Sequence, residues 1–161
     1  MQKKIIVFTL LILINFTFLK GEESEQKEPI LIEADELVYN KKDNVAVYKG
    51  GVTVRKGELT IKADKMTIYL IKEGDISKII AEGNVSFKKG NRSGSSERAE
   101  YYKDKNIIIL IDKARITQDQ NIIEGDEIIY HLDTEMAEVK GKDKKVRTVI
   151  FPENLNNKEK E

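Results

Sequence analysis

The sequence has no cysteine and no tryptophan, a single histidine and only two prolines. Without cysteine there is no thiol nucleophile, no thiolate metal site, no disulfide and no lipidated N-terminal cysteine. One histidine excludes His-based metal clusters and leaves a Ser-His-Asp triad without support. Charge of one sign does not accumulate either. The 28 Lys+Arg balance 28 Asp+Glu, which argues against the basic excess of a general nucleic-acid binder. What remains is one domain's worth of chain, 161 residues, with few of the groups that carry catalysis.

The N-terminus reads as a targeting segment. Lys3 and Lys4 precede an apolar run over residues 5–19, interrupted only by Thr9, Asn15 and Thr17, and the chain turns polar at Lys20-Gly21-Glu22. A basic start, a short apolar core and a small residue near its end make a secretory signal. Fifteen residues fall short of the ~20 that a spanning helix needs, so a cleaved signal over residues 1–21 is the reading, with a retained membrane anchor as the alternative. Cleavage removes three lysines and no acid, leaving 25 cations against 28 acids, a net charge of −3. Export without cysteine fits a bacterial envelope protein, because small secreted eukaryotic domains lean on disulfides.

Pro29 and Pro152 bracket a stretch of 122 residues that contains no proline, and Ile, Val, Thr, Tyr and Phe make up 41 of them. β-Branched and aromatic side chains are strand formers. Residues 22–28 read as a linker, and residues 152–161 as a polar, disordered tail with no apolar period. Within the bracket the period is two: Ala46, Tyr48, Gly50, Val52 and Val54 alternate with Lys49, Thr53 and Arg55, and Ile79, Ala81, Gly83, Val85 and Phe87 alternate with Lys78, Glu82, Asn84 and Ser86. Such alternation marks strands with one polar face, so the fold class is all-β and antiparallel. Gly-, Asn- and Asp-rich turns at 40–44, 55–57, 72–75, 88–96, 119–121, 133–135 and 140–143 predict 10 to 12 strands joined as consecutive hairpins.

Two short patterns alternate along the body. A small residue before an acid occurs at Ala34-Asp35, Ala63-Asp64, Ala99-Glu100 and Gly125-Asp126; a small residue between apolar ones occurs at Gly50, Gly83, Ala114 and Gly141. A repeat of about 30 residues that carries two or three strands cannot close a core alone, and stacked copies build an elongated β structure. At Ala63-Asp64 the parity of apolar residues flips, from Leu59, Ile61 and Ala63 to Met66, Ile68 and Leu70. That flip predicts a bulge or corner, with the acid accepting backbone N–H groups at the bend.

At these residues the sequence resembles the OstA-like, or LptA-type, family of lipopolysaccharide transport proteins. The resemblance is carried by Ile32-Glu-Ala-Asp-Glu-Leu-Val-Tyr39, Val47-Tyr-Lys-Gly-Gly-Val-Thr-Val54, Leu59-Thr-Ile-Lys-Ala-Asp-Lys-Met66 and Ile80-Ala-Glu-Gly-Asn-Val-Ser-Phe87, and covers residues 29–151. It implies a twisted antiparallel β-jellyroll, V-shaped and slightly open along one side. It also implies lipopolysaccharide acyl chains held between the sheets, and end-to-end stacking with partners of the same fold. Those partners would be an LptC-like protein of the inner membrane, an LptD-like protein of the outer membrane and further copies of the chain, forming a periplasmic bridge. No cofactor and no catalysis are implied. The third repeat departs from the family's Gly-Asn-Val and reads Lys113-Ala-Arg-Ile116.

Inward parity in such a body yields a column of lipid-binding candidates: Val52, Val54, Ile61, Met66, Ile68 and Val85 in its first half, then Phe87, Ile109, Ile111, Ile116, Ile128 and Tyr130. Burying an acyl chain against them contributes ~0.8 kcal/mol per CH₂. Other constellations read as structural. His131 stands alone, so no metal site is expected. Asp35, Asp64, Glu100 and Asp126 repeat with the fold rather than pairing as glycosidase acids. Lys140, Lys142, Lys144, Lys145 and Arg147 form a basic, solvated edge, open to lipid phosphates or an acidic partner. Two further functions stay open: an anchored, LptC-like lipid receptor that retains residues 5–19, and a β-solenoid that binds polysaccharide.

Overall fold

The computed structural model describes residues 29–71, 74–134 and 136–152. The expected signal (1–21), linker (22–28) and all but the first residue of the tail lie outside these. Ten strands follow one another: β1 (Leu31–Glu33), β2 (Glu36–Asn40), β3 (Val45–Lys56), β4 (Leu59–Leu70), β5 (Ile76–Lys89), β6 (Arg92–Tyr102), β7 (Ile107–Gln118), β8 (Asn121–His131), β9 (Ala137–Lys140) and β10 (Arg147–Val149). All pair antiparallel in a single sheet ordered β1-β3-β4-β5-β6-β7-β8-β10, with β2 also on β3 and β9 also on β8. Each strand approaches only its sheet neighbours, so the sheet does not close into a barrel. The expected all-β hairpin chain is therefore what the sequence builds.

The sheet is creased along its middle. In β3 the two residues Gly50 and Gly51 stand opposite the single Asp64 of β4, because the register jumps between Lys49↔Lys65 and Val52↔Ala63. The same jump puts Gly83-Asn84 opposite Glu97, and Asp112-Lys113 opposite Asp126. All six bulge residues have positive φ, between 48° and 79°, the left-handed region that turns a strand sharply. Each bulge bends its strand into two arms. The first arm holds β2, β9 and residues 45–49, 65–70, 76–82, 98–102, 107–111 and 127–131; the second holds β1, β10 and the other halves. Buried side chains of both arms meet in one cluster: Ala46, Met66, Ile68 and Ala81 of the first arm pack with Val52, Ala63 and Val85 at the start of the second. A smaller cluster of Leu110, Ala114 and Ile128 continues it along the crease.

Acids hold the creases. The Asp64 carboxylate accepts from Asn84 Nδ2 at 2.8 Å, and it fills the space that a side chain on Gly83 would need. Asp35 stands in the same relation to Gly50 and donates its backbone N–H to the Gly50 carbonyl at 3.0 Å. Glu97 receives Lys113 Nζ at 2.7 Å. Asp126 accepts three backbone N–H groups, from Lys142, Asp143 and Lys144, at 2.6, 3.0 and 3.3 Å, and these amides hold its carboxyl below the ordinary carboxylate range.

Two expectations change here. The third acid of the repeat is Glu97, after Ser96, and not Glu100; the third bulge is Asp112-Lys113, and Ala114 takes the buried place that Val52 and Val85 hold after theirs. The stretch 88–96 is not one long turn. Only residues 90–91 turn, and the Ser- and Gly-rich remainder is β6, paired on both sides by β5 and β7. The third crease carries Lys113 at φ 52°, a conformation that costs an ordinary L-residue ~1 kcal/mol and glycine almost nothing. Its ion pair with Glu97 is too exposed to offset this, at 79% and 49% side-chain exposure. Lys113→Gly is expected to stabilise the fold by about 0.5–1 kcal/mol, seen as a raised urea midpoint with an unchanged slope.

Candidate functional site

Cross-strand register sorts the inward side chains into rows parallel to the crease. Nearest it in the first arm run Tyr48, Met66, Ala81, Ala99, Leu110 and Ile128, each opposite the next. Beyond the bulges, Val52, Val85 and Ala114 begin the second arm. Val52, Met66, Val85, Leu110, Ala114 and Ile128 are all 3% exposed or less, while Tyr48 and Ala99 are half-buried, so the crease is buried along most of its length. Farther out, the second arm presents Ile32, Val54, Ile61, Phe87, Gly94, Ile116 and Ile123 as one continuous row. Apart from Gly94 these are large apolar residues, and every one is only half-buried. In the first arm Ile68, Ile79, Tyr101, Ile108 and Tyr130 form the facing row, of which Ile68 alone is fully buried. The interior is thus a groove with a mostly buried floor and an apolar, incompletely covered mouth.

Of the residues expected to line it, Val52, Met66, Val85 and Ile128 lie on the floor, Ile68 on the first wall, and Val54, Ile61, Phe87 and Ile116 on the second wall. Tyr130 stands at the rim. Ile109 and Ile111 are corrections. They lie on the opposite face of the sheet from Leu110, Ile109 in register with Glu100 and Ile111 with Arg98 and Glu127. Ile108 and Leu110 take their places inside. Sequence reading also missed Ile79, Tyr101 and Ile123, which the alternation of their strands would have supplied.

The outer face is where the polar chemistry sits. On the first arm Glu82 pairs with Lys65 at 3.3 Å and with Arg98 at 2.8 Å, and Arg98 reaches Glu100 at 2.6 Å. Burial pushes the Glu100 carboxyl up, but hydrogen bonds from Tyr102 (2.5 Å) and Arg98 outweigh it and leave the group below its ordinary value. This carboxylate is locked, and the acids of the repeat, Asp35, Asp64, Glu97 and Asp126, are each engaged at a bulge of their own. His131 Nε2 rests 3.0 Å from Glu138. No group of three or more metal-ligating side chains occurs among the described residues. In the basic segment Lys140 and Lys142 reach Glu127, and Arg147 reaches Glu124. On the second arm the outer surface is a shallow depression of about 600 Å³ floored by Thr60, Ser86, Ser93, Ser95 and Thr117. The inner face is apolar, whereas the outer face is mixed. Its ion pairs flank a row of Val47, Thr67, Ile80, Glu100, Ile109 and Ile129 on the first arm, in which Ile80 and Thr67 are buried.

Two side chains cross the mouth. Arg92 lies two residues before Gly94 on the inner face of the second arm, and its Nη1 donates to the Tyr130 hydroxyl on the first arm at 3.2 Å. The guanidinium also lies 5.8 Å from the Tyr130 ring centroid, within cation–π range. Below this bridge the inner side of β6 is small, with Gly94, Ser96 and Ala99, and the Phe87 ring occupies the space where a side chain on Gly94 would sit.

Most of the exposed large apolar residues cluster at the two ends of the sheet, Ile71 and Leu132 lying apart after β4 and β8. Ile30, Leu31, Leu37, Val38 and Tyr39 sit at the β1–β2 end, and Met136, Val146, Ile150 and Phe151 at the β9–β10 end, each at least 44% exposed. Among the described residues, both ends leave strand edges without a partner strand.

The family model of the LptA/(LptD N-terminal domain) LPS transport proteins matches residues 31–136. The lipopolysaccharide export system protein LptH of Pseudomonas aeruginosa is 26% identical over 114 residues, 66% of this chain and 65% of that protein; the chain thus spans a little under two thirds of this relative's length. The crystal structure of LptH, described as the LptA homologous periplasmic component of the conserved lipopolysaccharide transport device of Pseudomonas aeruginosa, matches with a TM-score of 0.69 at 24% identity, over 80% of this chain and 99% of that one. The open, creased sheet is accordingly that fold, the jellyroll expected from the sequence.

Proposed function

The chain belongs to the family of LptA and the LptD N-terminal domain, LPS transport proteins, and from that premise we propose that it carries lipopolysaccharide across the periplasm with the acyl chains in its groove and the sugars outside. The observation that supports this best is the gradient of burial across the interior. Most of the floor is buried, whereas Val54, Ile61, Phe87, Ile116 and Ile123 line the mouth half-covered. Apolar side chains left partly wet along one inner wall are a standing cost that a hydrocarbon occupant removes. A dozen methylenes gain roughly 10 kcal/mol gross on burial. A chain bound so firmly does not leave into water, but it changes environment little when it passes to an equivalent groove in the next module. The protein is then a passive conduit, driven by a pump elsewhere, and catalyses no reaction.

The same reading has modules stack head to tail through their open ends, with LptC-like and LptD-like proteins of the same fold terminating the row at the two membranes. Apolar side chains concentrated at both free edges suit β-augmentation. The export signal read in residues 1–21 is consistent with a periplasmic site of action.

Photocrosslinking tests the groove. Probes replacing Ile61 or Ile116 are expected to label lipopolysaccharide, and a probe at Ile109, on the outer face, is expected to give at most a tenth of that yield. Equal labelling from both faces, in folded protein, contradicts the proposal.

A further inference from the structure

We infer that Arg92 is the residue that recognises a phosphate of the bound lipid, and that its contact with Tyr130 is the closed state of a clasp across the groove mouth. This rests on the acyl-chain reading above and adds to it a headgroup contact and a gate.

Charge bookkeeping singles Arg92 out. The chain has five arginines. Arg55 pairs with Glu33, Arg98 with Glu82 and Glu100, and Arg115 and Arg147 with Glu124. Arg92 has no carboxylate within ion-pair distance among the described residues. It rests instead on neutral acceptors at long range, Tyr130 Oη at 3.2 Å and Gln118 Oε1 at 3.4 Å. The first lies at the long end of the ordinary range and the second beyond it, and a guanidinium gains far more from a bidentate, charged acceptor. Its position supplies the second part of the argument. It stands at the rim on the inner face, above the small residues of β6 and the half-buried row of Phe87 and Ile116. An amphiphile with its acyl chains on that row would bring the junction of lipid and sugar to this rim, and a phosphate there would meet a planar cation with no competing acid.

The bridge to Tyr130 joins the two arms across the mouth. A lipid sliding in sideways must part it. Exchange of the neutral tyrosine acceptor for a phosphate would open the clasp and bind the headgroup in one step, so uptake and recognition become a single event.

The test uses the purified protein with lipopolysaccharide and with the same lipopolysaccharide after phosphatase treatment. The wild type is expected to prefer the phosphorylated form by about tenfold or more. Arg92→Ala is expected to lose that preference while still taking up the dephosphorylated lipid, and Arg92→Lys to recover only part of it. Tyr130→Phe, which removes the acceptor and keeps the ring, is expected to retain the preference and to accelerate uptake. Lipid capture by Arg92→Ala with the phosphate preference intact overturns the inference and leaves the groove standing. Failure of the folded wild type to take up either lipid overturns the groove reading itself. An unchanged uptake rate in Tyr130→Phe removes the clasp.

Discussion

Ile61→Glu is expected to abolish lipopolysaccharide capture, by a hundredfold or more in affinity, while leaving the fold intact; Ile111→Glu is expected to change neither. The two substitutions are matched in chemistry and differ in the face they alter. Ile61 is half-buried on the second wall of the groove, in register with Val54 and Phe87. With no lipid present a carboxylate there reaches water through the mouth, so folding loses only the part-burial of one isoleucine. A hydrocarbon chain laid along the wall must strip that carboxylate of water or bind it neutral, at a cost of several kcal/mol. Each ~1.4 kcal/mol is a factor of ten. Ile111 lies on the outer face between Arg98 and Glu127, where a new carboxylate stays solvated beside a guanidinium. The measurement is displacement of a fluorescent acyl probe, with far-ultraviolet circular dichroism to show that both variants fold. Loss of capture in both would mean that the hydrocarbon does not lie on the inner face, and loss in neither would remove the second wall from the site.

The error over Ile109 and Ile111 shows where a sequence of this kind becomes unreadable. In β3 and β5 the bulge holds two residues against one, and the inner parity is the same on both sides of it: 46, 48, 52, 54 in one and 79, 81, 85, 87 in the other. The partner strands β4 and β8 flip, from 61 and 63 to 66 and 68, and from 123 and 125 to 128 and 130. Strand β7 belongs to the first kind, so Ala114 and Ile116 require Ile108 and Leu110 inside. The run Ile107-Ile-Ile-Leu-Ile111 contains no polar residue to fix its phase, and only the rule carried over from β3 and β5 decides it. The third crease hid the rule. Gly-Gly and Gly-Asn announce the first two bulges, whereas Asp112-Lys113 reaches the same positive φ without glycine.

Strand β6 was hidden for a different reason. Arg92-Ser-Gly-Ser-Ser96 has turn composition, because propensity registers local preference and this segment is held by two neighbours. The small side chains are needed there, since Phe87 lies across Gly94 and Ser96 is buried at the crease with its hydroxyl donated to the Arg98 carbonyl at 2.9 Å. Arg92 itself carries no local signal at all. What distinguishes it is the lack of an acid partner and a tyrosine 38 residues away, and both are properties of the folded sheet. By contrast the fold class, the hairpin order and most of the floor were legible, because alternation and β-branched composition act residue by residue.

Stacking through the free edges makes a sharper demand than association alone, because a head-to-tail contact joins two different surfaces. Leu37→Glu with Tyr39→Glu alters one end, and Ile150→Glu with Phe151→Glu the other. All four residues are 45% exposed or more, so each pair should cost the monomer little. Wild-type chains are expected to assemble into a concentration-dependent series in sedimentation experiments. Each variant alone is expected to be monomeric at the same concentrations, since every contact needs one intact copy of both ends. Mixed, they are expected to form one-to-one dimers and nothing larger: the intact β9–β10 end of one meets the intact β1–β2 end of the other, and both remaining ends are blocked. A symmetric contact predicts otherwise, for an end that pairs with itself leaves the variant altered at the other end dimeric on its own. Dimers of a single variant would therefore exclude the head-to-tail row, and with it a continuous groove, even if the groove of each module holds lipid as expected.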